Sequence, residues 1–296
     1  MLYFLITLIF FSSIEVVSKD LMIYLGPFEM TFIRFFIGGI MLLLFSIING
    51  THKELRNLDR SDYSLMALLG FINIFFSMTM LQYAIKFGEP AVVALIISSN
   101  PIFVYIISLM LKHEEISIKK VGGFVLGIAG ISVVLIKDFS DLAIEAGALY
   151  ALIGAVSFAG FTILNKKAVS KHSPLVVNII SFAFGLICIA VFFAIRGSVD
   201  ITAELFDSPI RITKLFYLGI FVTAISYITF LTAIKKIGPV ASSLVFLFKP
   251  AVATIFAVMF LSEEIRLNFF IGLLLSSLGS YLILKKSRPP ETLCAR

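Results

Sequence analysis

The chain has 296 residues, of which 59% are hydrophobic and 14% charged, with a formal net charge of +6. Soluble domains run at roughly 25% charged and about 45–50% apolar, so no water-soluble core of this length would hide the excess. The basic residues fall in short loops between apolar runs of about twenty, the length that crosses roughly 30 Å of hydrocarbon, so the positive charge marks membrane orientation and not a nucleic-acid partner.

The first apolar run, 2–25, reads as a membrane helix and not as a cleaved leader, because it lacks a basic n-region and Glu15 interrupts its apolar stretch. Further spans follow at 28–48, 63–85, 91–111, 118–136, 147–164, 174–195, 215–234, 240–261 and 267–284, which makes ten. Unpaired backbone groups are costly in hydrocarbon, so each is expected to be an α-helix; barrel strands would be half as long and would alternate in polarity. Alternate loops differ in charge. Those after the even-numbered spans, with the C-terminal tail, hold fifteen Lys and Arg against seven on the other side, while Arg34 and Lys249 lie inside spans. The expectation is a multi-pass protein of the cell membrane, plasma or inner, with both termini cytoplasmic.

An internal repeat is the strongest signal. AIKFGEP from Ala84 matches AIKKIGP from Ala233 at a shift of 149 residues, and the same shift carries Pro101 to Pro250, Glu114 and Glu115 to Glu263 and Glu264, Gly123 to Gly272 and Gly130 to Gly279. A weaker match at a shift of 147 pairs Phe11 with Phe158, Lys19 with Lys166, Pro27 with Pro174 and Gly38 with Gly185. The chain therefore divides into a five-helix unit at 1–139, a second at 140–285 and a short cytoplasmic tail at 286–296. Five is odd, so the second unit enters the membrane from the opposite side. Inverted-topology repeats of this kind belong to transporters that alternate access about a midplane site.

These residues resemble the EamA-like, ten-helix branch of the drug/metabolite transporter superfamily. The resemblance covers nearly the whole chain and rests on Lys19, Pro27 and Arg34 in the first unit, on Pro101 with Glu114 and Glu115, and on Pro250 with Glu263 and Glu264. It implies a central cavity between the two units and export or exchange of amino acids, nucleotide precursors or other metabolites. Two departures stand out: many relatives have an apolar residue where this chain has Glu15, and often a carboxylate where it has Lys249.

Glu15 lies deep in the first span, where a charge costs on the order of 2.5–3.5 kcal/mol on insertion scales. It either faces a cavity, as a cation ligand or a proton carrier, or pairs with Lys19 one turn away. Lys249 precedes the helix-loosening Pro250, and is read as an anchor for a substrate carboxylate or phosphate, as the partner of Glu15, or as a lysine that snorkels to an interface. Asn100 takes the equivalent place before Pro101. Asn73, Ser77, Gln82, Ser226 and Tyr227 offer neutral hydrogen bonds, each serving either substrate or an interhelical tie. Arg34, six residues inside its span, is expected to reach the outer surface, or else to join Lys19 and Asp20 in a gate. Gly147, Ala151, Ala155 and Ala159, with Gly123 and Gly127, form small-residue ladders that let helices approach.

No cofactor is expected. His52, His113 and His172 sit at loops or helix ends without metal-ligand spacing, and two scattered cysteines, Cys188 and Cys294, make no metal site. No Gly-rich phosphate loop precedes a helix, so gradients must supply the energy. The expected function is secondary active transport by alternating access, exporting or exchanging an amino acid or related zwitterion, with proton coupling open. The rivals are a multidrug or cationic-compound exporter of the same fold and a membrane-embedded lipid enzyme. The expected partners are the small-molecule substrate and membrane lipid, the protein being a monomer or a weak homodimer that binds no nucleic acid.

Overall fold

The computed structural model describes residues 2–112, 118–138, 143–144, 146–243, 245–261 and 267–284. Its helices, in chain order, are α1 (Leu2–Leu21), α2 (Pro27–Ile48), α3 (Arg60–Phe87), α4 (Pro90–Met110), α5 (Ile118–Leu135), α6 (Ala146–Lys171), α7 (Pro174–Arg196), α8 (Pro209–Ile237), α9 (Val245–Leu261) and α10 (Leu267–Leu284). A helix therefore occupies the place of every predicted span. Of these, α2, α3, α4, α6, α7 and α8 are long and apolar enough to cross a membrane, and α9 and α10 contain shorter apolar stretches. Beyond the helices, Ile136–Asp138 pairs antiparallel with Ala143–Ile144. The acidic pairs Glu114–Glu115 and Glu263–Glu264, and the tail at 286–296, lie outside the described residues.

Local chemistry sets the helix ends. Proline opens α2, α4, α7 and α8, at the position whose N–H would lack an intrahelical acceptor anyway. Ser173 Oγ accepts from Val176 N at the start of α7, and Gly197 ends the helix at a φ of 70°.

The polarity of the bundle is inside out. Glu15, Arg34, Asn73, Gln82, Asn100 and Lys249 are buried, while Ile48, Met110, Ile195 and Phe260 face outward. Such a surface is stable against lipid and not against water, so the chain is a multi-pass membrane protein.

Helix contacts come in pairs that exchange when the two halves are swapped: α1 on α9 and α6 on α4, α3 on α6 and α8 on α1, α2 on α8 and α7 on α3. The glycines obey the same exchange. A methyl group on Gly123 would stand 2.7 Å from Gly279 O, and one on Gly130 would stand 2.9 Å from Gly272 O, so α5 and α10 touch backbone to backbone. Gly38 against Gly219 and Gly185 against Gly70 repeat the arrangement where α2 meets α8 and α7 meets α3. The ladder on α6 works as expected, with Gly147 pressed on Gly88 and with Ala151, Ala155 and Ala159 fully buried.

Both third helices also change their winding at the same place. Phe71–Met78 in α3 and Leu218–Ile225 in α8 are π-helical. The hydroxyls of Thr79 and Thr223 bond the carbonyls five residues back, at Ile74 and Leu218. π-helical stretches are rare and gather at functional sites.

Candidate functional site

Where α1, α2, α3, α8 and α9 converge, the wider-wound stretch of α8 packs on α1, as that of α3 packs on α6. Glu15 and Lys249 meet there as an ion pair, with side chains 0% and 3% exposed. Glu15 Oε2 has no hydrogen-bond partner among the described residues. Lys19 instead donates to Ile85 O at 2.9 Å and Gly88 O at 2.7 Å, so it closes the end of α3 and leaves Glu15 to Lys249. Proline at 250 lies inside α9 and removes a backbone donor beside the lysine, whose carbonyl accepts from Ser12 Oγ at 3.5 Å.

Arg34 departs from expectation. Its side chain does not reach an aqueous surface: the residue is 1% exposed, Nη2 points at Met78 Sδ at 3.1 Å, and the guanidinium stands 4.9 Å from the centroid of the Phe35 ring. Its position six residues into the predicted span permits either direction, and packing of α2 against α3 and α8 turns it inward. Nε and Nη1 of Arg34 have no hydrogen-bond partner among the described residues.

A cavity joins these groups. Phe11, Ile14, Arg34, Met78, Leu81, Ile97, Phe158, Val222, Tyr227, Phe246 and Lys249 line it. Counting every gap between atoms it holds about 380 Å³, but the clear room is about 30 Å³, enough for water and too little for an organic solute. Around Phe11, midway along α1, and Phe246, at the start of α9, an aromatic cluster narrows it. Phe11 packs 5.6 Å from Tyr227 and 6.2 Å from Phe246, and Phe158 packs 5.7 Å from both Phe230 and Phe246. Phe11 and Phe158 are one of the pairs that the sequence repeat matches, and both pack on Phe230 and Phe246.

The neutral candidates separate. Tyr227 lines the cavity and donates to Asn73 Oδ1 at 3.2 Å, which places Asn73 directly behind it. Ser77 Oγ donates to Gly154 O at 2.9 Å and Asn100 Nδ2 to Ala155 O at 3.2 Å, so both tie their helices to α6. Pro101 sits where α4 breaks at Ser99. Gln82 is fully buried with neither amide atom paired among the described residues.

Two sets of polar contacts sit at the ends of the bundle. At one end, Asp62 binds Lys171 at 3.3 Å and His172 at 2.9 Å, and Glu54 holds Ser173. At the other, Asp20 pairs with Lys214, and Glu29 accepts from Asp200 N at 2.9 Å beside Arg196.

The sequence model of the EamA-like transporter family matches residues 1–136 and again 145–285. The chain belongs to the EamA-like transporter family. Its similarities run through that family: an uncharacterised transporter of Clostridium kluyveri is 30% identical over 95% of this chain and 91% of its own length. An S-adenosylmethionine uptake transporter of Rickettsia bellii is 30% identical over 58% of this chain and 56% of its own. A solved crystal structure shares the fold at a TM-score of 0.64, with 17% identity over 95% of this chain and 94% of its own. As an EamA-like transporter, the chain places its paired ions and its cavity where its two matched segments pack together.

Proposed function

We propose that this protein is a secondary active transporter in which ten helices cross the cell membrane as two inverted five-helix units, moving a small amino-acid-like zwitterion by alternating access. The carrying observation is the buried Glu15–Lys249 pair beside a nearly closed cavity between the matched halves. Charges so far from water are retained at a cost, and opposite charges side by side suit an ammonium and a carboxylate. The exchange of helix contacts between the halves supports the inverted arrangement. The Rickettsia relatives support the substrate class, since S-adenosylmethionine carries an α-amino and an α-carboxyl group. The fifteen-to-seven excess of Lys and Arg supports cytoplasmic chain ends. Direction of net flux then follows the gradients, so export and exchange are both within its reach.

Counterflow in proteoliposomes tests the reading. Purified protein facing unlabelled amino acids and nucleoside-linked amino acids inside is expected to accumulate the labelled counterpart in a saturable manner. The absence of saturable flux across the whole panel counts against it. Replacing Glu15 by Gln is expected to slow flux and flatten its pH dependence, and an unchanged profile removes Glu15 from coupling.

A further inference from the structure

We infer that Arg34 is the anion-recognising group of the cavity, holding a substrate carboxylate or phosphate, while Glu15 and Lys249 neutralise one another. The inference rests on the transport reading and narrows its substrate to solutes bearing a negatively charged oxygen-rich group on a compact apolar or aromatic body.

Two cations, Arg34 and Lys249, line the cavity, and among the described residues the carboxylate that pairs with them, Glu15, gives Oε1 to Lys249. One positive charge is left over in a space walled by Phe11, Phe158, Phe246 and Ile97. A guanidinium presents five N–H donors in a planar fork that fits two oxygens at once. Arg34 is fully buried and stands over the Phe35 ring, yet among the described residues its only hydrogen-bond contact is from Nη2 to a thioether sulfur, a weak acceptor; Nε and Nη1 have none. Nε and Nη1 each complete a two-pronged edge with Nη2, and because Nη2 carries two N–H groups and Met78 takes only one, an edge able to bind a carboxylate or phosphate stays open. Holding a buried guanidinium whose donors meet so few protein acceptors is costly in a membrane interior, and a bound anion offsets that cost.

The walls set the rest of the solute. The ring faces around the cavity accept an apolar or aromatic body, and Tyr227, held by Asn73, adds its hydroxyl oxygen as a neutral polar point in the lining. With clear room of about 30 Å³, a solute enters only as the halves part.

The test uses full-length protein in a non-ionic detergent free of anionic lipid, with sodium benzoate, sodium acetate, phenyl phosphate and neutral benzamide as probes at equal ionic strength. Benzoate and phenyl phosphate are expected to raise the apparent Tm of the wild type by ~2 °C or more, and benzamide is not. Arg34→Met is expected to keep or raise the unliganded Tm, because an unpaired buried charge is gone, and to lose the benzoate response; Arg34→Lys is expected to keep a response at least tenfold weaker in apparent affinity. The inference is overturned by a wild type that ignores every anion, by an equal benzoate response in Arg34→Met, or by benzamide stabilising as well as benzoate. Phosphatidylglycerol abolishing the benzoate effect would also overturn it, by assigning the anion site to lipid. The two readings fail separately: no flux with an Arg34-dependent benzoate response removes transport and leaves the subsite, whereas normal counterflow by Arg34→Met removes the subsite and leaves transport.

Discussion

A charge in an apolar run is conspicuous in any sequence, and both Glu15 and Lys249 stand out that way. Their partnership follows from physics: neither can stay ionised and buried alone. Glu15→Gln is therefore expected to strand Lys249 and cost about 3–5 kcal/mol of stability, and Lys249→Met to cost about as much by stranding Glu15. The double variant removes both charges and is expected to recover most of that loss, while flux stays impaired. Denaturant unfolding of the three variants in micelles checks this, and single variants within about 1 kcal/mol of the wild type would break the argument. Arg34 was less legible. Its side chain is long enough to reach an interface from its depth or to turn inward, and the sequence contains no term that separates the two; only the contacts with Met78 and Phe35 decide. Asn100 and Ser77 were legible as polar groups inside spans, but their neighbours on α6 are backbone carbonyls of Ala155 and Gly154, which a sequence does not reveal.

At the scale of the element, glycine spacing predicts contacts more sharply than hydropathy does. Gly123 and its neighbour Gly122 are alike in sequence and opposite in structure. A methyl group on Gly123 meets Gly279 O at 2.7 Å, whereas on Gly122 it meets nothing within 4 Å. Gly123→Ala is accordingly expected to push α5 off α10 and cost about 1–3 kcal/mol, and Gly122→Ala to be neutral or slightly stabilising. Thermal unfolding of the matched pair is the measurement; equal behaviour would mean that α5 and α10 do not meet through that face. Helix positions were legible because a twenty-residue apolar run has few alternatives in lipid. The π-helical winding of Phe71–Met78 and Leu218–Ile225 was not, since neither segment carries a composition that distinguishes it from an ordinary helix. It becomes intelligible only beside the close approach of Gly70 to Ser181 and of Gly219 to Ile37, where each third helix is pressed by a second helix of the other half.

For the whole molecule, the repeat made the pairing of halves readable, because a shift that keeps Pro, Gly and Lys in register over fifty residues reports a shared backbone. What it left open is which contacts hold each end shut. Asp62 with Lys171 and His172 clasps α3 to α6 and to the turn before α7 at one end, and Asp20 with Lys214 clasps α1 to α8 at the other. If the halves rock about the cavity, these clasps compete: loosening one shifts population toward the state open at that end. The Asp20–Lys214 pair is exposed and weak, so its loss is expected to shift the balance roughly 1.5- to 5-fold, and the loss of buried Asp62 to shift it at least as far. A reporter cysteine at Val222, a cavity residue 1% exposed, reads it out once Cys188 and Cys294 have been replaced. Asp20→Asn is expected to speed its reaction with an impermeant maleimide added on the Asp20 side of oriented vesicles and to slow it from the other, and Asp62→Asn to do the reverse. Reactivity that rises from both sides in both variants would show general loosening without alternation, and reactivity unchanged in either would free that clasp from any part in gating.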